Sequence, residues 1–467
     1  MASGAITMAQ AALPSPVSQA LQQAGVPVQS MAVIVEDSHS QQVLLSHQPH
    51  LPMNPASVIK LITTQAGLLH LGPEYRWRTP VWIEGAAPSG AAPGHWVGRV
   101  TIKGSGDPKL NLEAITALLQ RVQQAGVRHL QGDLVLDQSA FAPPAGDPGD
   151  FDGEPARPYN VQARALLLNQ RTVIYKFTPD PSRKVAHVVA EPALDRVQVQ
   201  ATVPLGPGPC LDWRAELKAS WSTDQVGWAG RYPGACGERQ WPVAYAAPQE
   251  FDARLLKALW IQLGGSLQGQ IREGLAPSSP PSWHWESPPL REVVKDINTF
   301  SNNPMAEMLA LSLAQSAAPQ RPTRAADARQ WLHTWSTARL HSMQPSPEST
   351  LGLAIDNGSG LSRDQRITAH QLMLWLRDSA NSRVADDFWA SLPVSGAEGT
   401  LRRMTQWAGR AQLKTGSLRD VAAAAGQLTT PSGRTLRVVA IIHHPQAQQA
   451  RGALQALWQW AMDTDAR

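Results

Sequence analysis

Asn54-Pro55-Ala56-Ser57-Val58-Ile59-Lys60, running on into Leu61-Ile62-Thr63-Thr64, reads as the start of a buried helix. Pro55 suits a first helical turn, where its missing N–H has no bond to lose. Ser57 and Lys60 stand three residues apart and so share a helix face. Burial disfavours an ammonium and lowers its pKa. A neutral Lys60 amine can then take the Ser57 proton and leave a nucleophilic oxygen. A lone Ser-x-x-Lys is far more often a helix start with a lysine snorkelling to solvent. Its meaning depends on what the rest of the chain supplies.

The chain has 467 residues, more than one domain of usual size, and 43% of it is apolar, enough for a sizeable core. It carries 41 Lys and Arg against 37 Asp and Glu, with no run of five or more basic residues, so nucleic acid is not a predicted partner. No stretch of 18 or more apolar residues occurs, so no transmembrane segment is expected. Met8-Ala9-Gln10-Ala11 resembles the tail of a signal peptide, although a basic start and a full apolar stretch are missing. The two cysteines, Cys210 and Cys236, lie among Gly and Pro, and by themselves read equally as a surface disulfide or as two free thiols. There is no Cys-x-x-Cys, and no metal or cofactor is predicted.

Outward from Ser57, residues 16–24 read as a helix, and Met31-Ala32-Val33-Ile34-Val35 as a strand that turns at Asp37-Ser38-His39-Ser40 and returns over 42–46. From Trp77 short strands alternate with Gly/Pro turns, as expected of a β-rich insert with room for two subdomains, at 79–274. Helical periodicity returns at 251–263, 288–298, 304–316, 324–340 and 369–377. Strands are predicted at 410–415, 422–429 and 435–443, then a closing helix at 447–462. Both ends carry strands flanked by terminal helices. The simplest arrangement is one α+β domain made from 14–78 and 275–467 and split by the insert.

Two further stretches complete the chemistry. Ser301-Asn302-Asn303 falls in a break between helices, where a Ser can relay a proton and an Asn amide can donate and accept. Alone it reads as a helix cap. Lys414-Thr415-Gly416-Ser417 ends a strand, with a cation and hydroxyls suited to a carboxylate and a glycine that permits close backbone approach. In a regular strand Lys414 and Thr415 point to opposite faces, so a shared site demands a twisted strand end.

Ser-x-x-Lys, Ser-x-Asn and Lys-Thr-Gly in this order form the motif set of the penicillin-binding proteins and serine β-lactamases. The chain resembles that superfamily, and within it the low-molecular-mass class C penicillin-binding proteins, the type-4-like D-alanyl-D-alanine carboxypeptidase/endopeptidase family. The long insert between the first two motifs is part of the resemblance. So are Gly104-Ser105-Gly106-Asp107-Pro108, Ser301 to Leu309, Asp356 to Arg363, and Leu392-Pro393-Val394-Ser395-Gly396. One departure is Asp-Asn-Gly-Ser-Gly at 356–360, where some members read Asp-Gly-Ser-Gly.

The resemblance implies an antiparallel sheet flanked by helices, and a serine carboxypeptidase acting on peptidoglycan stem peptides. Ser57 would be the nucleophile and Lys60 the base. Ser301 would pass the proton to the leaving amine, Asn303 would hold the substrate amide, and Lys414 would orient Ser301. Thr415, Gly416 and Ser417 would bind the terminal carboxylate. The backbone N–H groups of Ser57 and Ser417 would form the oxyanion hole. β-Lactams would acylate Ser57. In the insert, Glu154 or Asp152, with Phe151 and Tyr159, would hold the amino-acid end of a diaminopimelate side chain, and Arg363 would take a carboxylate. The resemblance also implies a periplasmic location, where a Cys210–Cys236 disulfide can form.

Rival readings are a β-lactamase and a sensor or wall-binding protein that acylates without turnover. No Gly-x-Ser-x-Gly, His-Glu-x-x-His or phosphate-binding loop occurs, and His47 and His50 have no acidic third ligand nearby. The sequence is compatible with an oligomer but does not specify one.

Overall fold

The computed structural model describes residues 12–466, so the signal-like stretch Met8–Ala11 lies outside the described residues. Those up to Arg76 and those from Pro288 onward form one compact unit, and Trp77–Ser287 forms a second.

The first unit is built on a five-stranded antiparallel sheet whose strands come from both chain ends. They are β1 (Met31–Asp37), β2 (Val43–His47), β3 (Ala411–Leu418), β4 (Val421–Thr429) and β5 (Thr435–His443), in the order β3-β4-β5-β1-β2. The hairpin between β1 and β2 is set by Asp37, whose carboxylate accepts from the backbone of His39 at 2.9 Å and of Ser40 at 2.6 Å. Every residue of β1 is buried, because helices cover both faces of the sheet. On one face α1 (Ser15–Gln23) and the C-terminal helix pack Val17, Leu21, Leu457 and Trp458 against Val33, Leu413 and Ala440.

The other face carries α2 (Lys60–His70), which in turn packs against α3 (Leu290–Phe300) and α4 (Asn303–Ala317). Residues 60–68 are buried all round, as a helix between two layers must be. α5 (Ala325–Met343) lies beyond α4, and α6 (Ala369–Asn381) packs on β1 and β5. Glu36 of β1 is fully buried, and its oxygens accept from Arg377 Nε at 3.0 Å and from Arg437 Nη1 at 3.2 Å. Removing either arginine would leave a buried carboxylate under-compensated. The last helix, α7 (Arg451–Met462), starts four residues later than its periodicity suggests, because the chain turns repeatedly over 444–450.

The second unit joins a seven-stranded, a five-stranded and a three-stranded sheet with the helices Leu112–Gln124 and Pro248–Gln262. One buried cluster runs through it from Val81 to Leu267. Its aromatic centre stacks Phe177 on Tyr232 at 5.4 Å, with Trp213 and Trp228 edge-on. A disulfide joins Cys210 and Cys236 beside this cluster. The unit extends past residue 274, because Trp283–Glu286 pairs with the strand Arg78–Ala86 and keeps the chain there until Ser287. The strands at 219–244 escape sequence reading because most span only two to four residues.

Candidate active site

Ser57 lies in a 3-10 turn, Ala56–Ile59, that feeds directly into α2 at Lys60. With three residues per turn, positions i and i+3 eclipse, so the turn stacks Ser57 over Lys60 more closely than an α-helix would. The turn is strained. Ala56 has a φ of 47°, a left-handed conformation that costs a non-glycine residue about 1–3 kcal/mol. Neighbouring side chains hold it there. Asn54 Oδ1 accepts from the Ala56 N–H at 2.9 Å, and Gln365 Nε2 donates to the Ala56 carbonyl at 3.3 Å.

Two glycines press on the same turn. A Cβ on Gly416 would lie 2.4 Å from the Pro55 carbonyl oxygen, and one on Gly360 would lie 2.7 Å from Ser57 Cα. Gly416 is therefore required by the chain's own backbone, whatever it also offers a substrate.

Lys60 is completely buried and Ser57 is half-buried. Lys60 Nζ lies 3.0 Å from Ser57 Oγ, 2.6 Å from Asn303 Oδ1, and in contact with the Ser359 carbonyl. The last two oxygens can only accept. They consume both N–H bonds of a neutral amine and leave its lone pair facing the Ser57 hydroxyl. Burial holds Lys60 well below the usual lysine range, the Lys414 charge lowers it further, and Glu307 opposes both.

Ser301 and Lys414 form the facing pair. Ser301 ends α3 with φ 57° and ψ 39°, a left-handed cap that turns the chain from α3 into α4. Asn302 is the N-cap of α4, accepting from the Met305 N–H at 3.0 Å, so the capping role falls on this middle residue. Asn303, one position on, reaches Lys60. Lys414 is fully buried and donates to Ser301 Oγ at 2.8 Å and to the Thr415 carbonyl at 2.9 Å. Burial pushes its pKa down to about 7.

Five of the predicted residues thus converge: Ser57, Lys60, Ser301, Asn303 and Lys414. Thr415 and Ser417 are placed differently. The regular pairing of β3 with β4 sends them to the α1/α7 face of the sheet, opposite Lys414 and Gly416. Ser417 Oγ accepts from Arg451 Nη2 at 2.7 Å. β3 is an edge strand. Only Val394 bridges its outer side, at Gln412, so among the described residues the edge from Leu413 to Leu418 has no strand beside it.

Arg363 is exposed, one residue beyond Ser362, whose carbonyl accepts from Asn54 Nδ2 at 2.8 Å. Glu154 belongs to the second unit. It is exposed and paired with Arg157 at 3.2 Å, while Asp152 accepts from Tyr159 and Asn160, each at 2.8 Å. Asn357 organises the 357–361 loop by accepting from the N–H of Ser359 at 3.0 Å and of Gly360 at 3.2 Å. Asp356 pairs with Arg329 at 2.7 Å.

Sequence reading assigned no role to Glu307. It stands four residues after Asn303 on the same face of α4 and accepts from Ser359 Oγ at 2.9 Å, so it backs the loop that touches Lys60. That i+4 spacing was the available signal. Burial raises its carboxyl from 4.5 to about 7, with Ser359 and Lys60 opposing. The folded pKa lies above the unfolded one, so the carboxyl costs stability as pH rises from about 4.5 through 7. Glu307→Gln is expected to raise the unfolding free energy by about 1–3 kcal/mol at pH 8 and to leave it little changed at pH 4. Denaturant melts at the two pH values check this. Equal effects at both would remove the carboxyl from the account.

The fold and this cluster define a serine-acylating α+β enzyme of the penicillin-binding type. A structure of penicillin binding protein 4 (dacB) from Haemophilus influenzae matches it with a TM-score of 0.72 at 20% identity, covering 96% of this chain and 100% of that one. The penicillin G-acylated predatory endopeptidase of Bdellovibrio bacteriovorus, in complex with an immunity protein, matches with a TM-score of 0.52 at 15% identity, covering 93% and 90%. These likenesses establish the fold. Residues 13–463 match the model of the D-Ala-D-Ala carboxypeptidase 3 (S13) family, and the chain belongs to that family. A D-alanyl-D-alanine carboxypeptidase from Actinomadura sp. is 26% identical over 435 residues, covering 86% of this chain and 75% of the relative.

Proposed function

We propose that this protein is a serine-type D-alanyl-D-alanine carboxypeptidase and endopeptidase of peptidoglycan stem peptides. The observation that carries the proposal is Lys60, buried with no carboxylate among the described residues in contact with it and hydrogen-bonded to Ser57. An unperturbed lysine near 10.5 would be neutral in only about one molecule in 3,000 at pH 7. Lowering its pKa makes the base available.

Ser57 Oγ attacks the carbonyl carbon of the penultimate D-alanine while Lys60 takes its proton. The N–H groups of Ser57 and Ser417 stabilise the oxyanion. The C–N bond then breaks, and the proton reaches the leaving amine through Ser301, held by Lys414. Asn303 fixes both Lys60 and the substrate amide. Water attacks the Ser57 ester, the acid leaves and the hydroxyl is restored. A β-lactam follows the same first step and stays attached. In the second unit Glu154 or Asp152 is the candidate partner for the ammonium of a diaminopimelate side chain, and in the first unit Arg363 is a candidate for a carboxylate.

Peptidoglycan and an oxidised Cys210–Cys236 pair both fit a periplasmic location. No helix among the described residues is long and apolar enough to cross a membrane. The test is incubation with a stem pentapeptide and with intact crosslinked peptidoglycan. D-Alanine release and loss of crosslinked dimers are the expected results. A stable penicillin adduct without either product would replace this reading with that of a sensor.

A further inference from the structure

A cavity of about 660 Å³ opens on the α1/α7 side of β3, next to the catalytic edge. Thr415 and Ser417 line it from the strand, Arg451 and Trp458 from α7, and Arg402 and Arg403 from the loop that follows Gly399. Three arginines meet there and no acidic side chain lines it. None of the three is in an ion pair among the described residues, and Arg451 Nη2 donates to Ser417 Oγ at 2.7 Å. Unpaired cations around a partly apolar pocket of this size match an anionic organic ligand.

The position says which ligand. In the proposed reaction the amine departs on the Ser301 side, where the proton arrives. Two residues before Ser301 is Thr299, and Gly399 lies hard against it: a Cβ there would be 2.1 Å from the Thr299 carbonyl oxygen. The loop carrying Arg402 and Arg403 therefore starts against the end of α3 that Ser301 caps, and its residues line the cavity. A single D-alanine fills little of that space and brings one carboxylate. A leaving peptide brings several.

Resting on the proposed function, we infer that this cavity is the subsite for the leaving peptide of a crosslinked substrate. Arg402, Arg403 and Arg451 receive its carboxylates, and Trp458 packs against its aliphatic parts. The subsite tilts the enzyme toward endopeptidase action, because only a crosslinked substrate gains these contacts.

The test is the double variant Arg402→Gln/Arg403→Gln, assayed in the full chain on three reactions. They are acylation by penicillin, D-alanine release from a pentapeptide, and cleavage of a purified crosslinked peptide dimer. KM for the dimer is expected to rise about tenfold or more with kcat changed less than twofold, since binding common to ground and transition states is lost. Penicillin acylation and pentapeptide KM should stay within twofold. Raising salt should weaken wild-type dimer cleavage more than pentapeptide cleavage. An unchanged dimer KM overturns the subsite, and so does an equal loss in all three reactions. If the wild-type chain neither reacts with penicillin nor releases D-alanine, the proposed function itself falls. If it does both while the variant cleaves the dimer normally, only the subsite falls.

Discussion

Ser57→Ala is expected to abolish D-alanine release and covalent penicillin binding together, a loss of about 10⁴-fold or more. Both reactions need the same oxygen as nucleophile, and Ser301, the facing hydroxyl, accepts a hydrogen bond from Lys414 Nζ at 2.8 Å. The variant should stay folded. Ser57 Oγ has one side-chain partner, Lys60 at 3.0 Å, and Asn303 and Ser359 still hold that lysine. Intact-mass spectrometry after penicillin treatment and a D-alanine assay read the result. A penicilloyl adduct on the variant would move the nucleophile elsewhere.

Lys60→Arg is expected to slow acylation by about 10²–10⁴-fold while keeping Ser57 in place, the range of general-base catalysis. A guanidinium keeps its proton at any pH the fold survives, so it can donate to Asn303 and Ser359 but cannot accept from Ser57. Arginine is also larger, and Lys60 has no exposed surface, so part of any loss could come from overpacking. Lys60→Met separates the two effects. It keeps roughly the volume, removes the base, and should lose acylation to a similar extent. The wild-type rate should fall as pH drops through the lowered Lys60 pKa, because protonation removes the lone pair. Both variants should lack that limb. Acylation of Lys60→Arg at the wild-type rate would exclude Lys60 as the base.

The catalytic cluster is legible in the sequence to the extent that its geometry is local. A spacing of three from Ser57 to Lys60 fixes one face of a turn, and Ser301 to Asn303 fills one helix-to-helix junction. The order of the three motifs then ties them to one family. What needs distant pairing is not legible. Nothing near Met31 states that its strand lies against 435–443, and nothing near residue 274 states that the chain has another strand to contribute at Trp283. Thr415 and Ser417 illustrate a different loss. Strand alternation does forecast that they oppose Lys414, but only the packed α7 reveals that Arg451 waits on their side. Glu307 was visible as a residue and invisible as a partner, since its contact is to a loop more than fifty positions later.

The pressure of Gly360 and Gly416 on the turn at Pro55 and Ala56 has a consequence in time. The ribosome makes Ser57 about 360 residues before the strand bearing Gly416. β1 waits equally long for β5, its neighbour in the sheet. Pairings so remote in sequence form slowly and late. A nascent chain stopped short of Leu418 has its serine and lysine but no edge strand to clamp them and no Lys414 for Ser301. Such a fragment is expected to be inert. The serine gains its full set of partners only once the strand bearing Lys414 and Gly416 has paired.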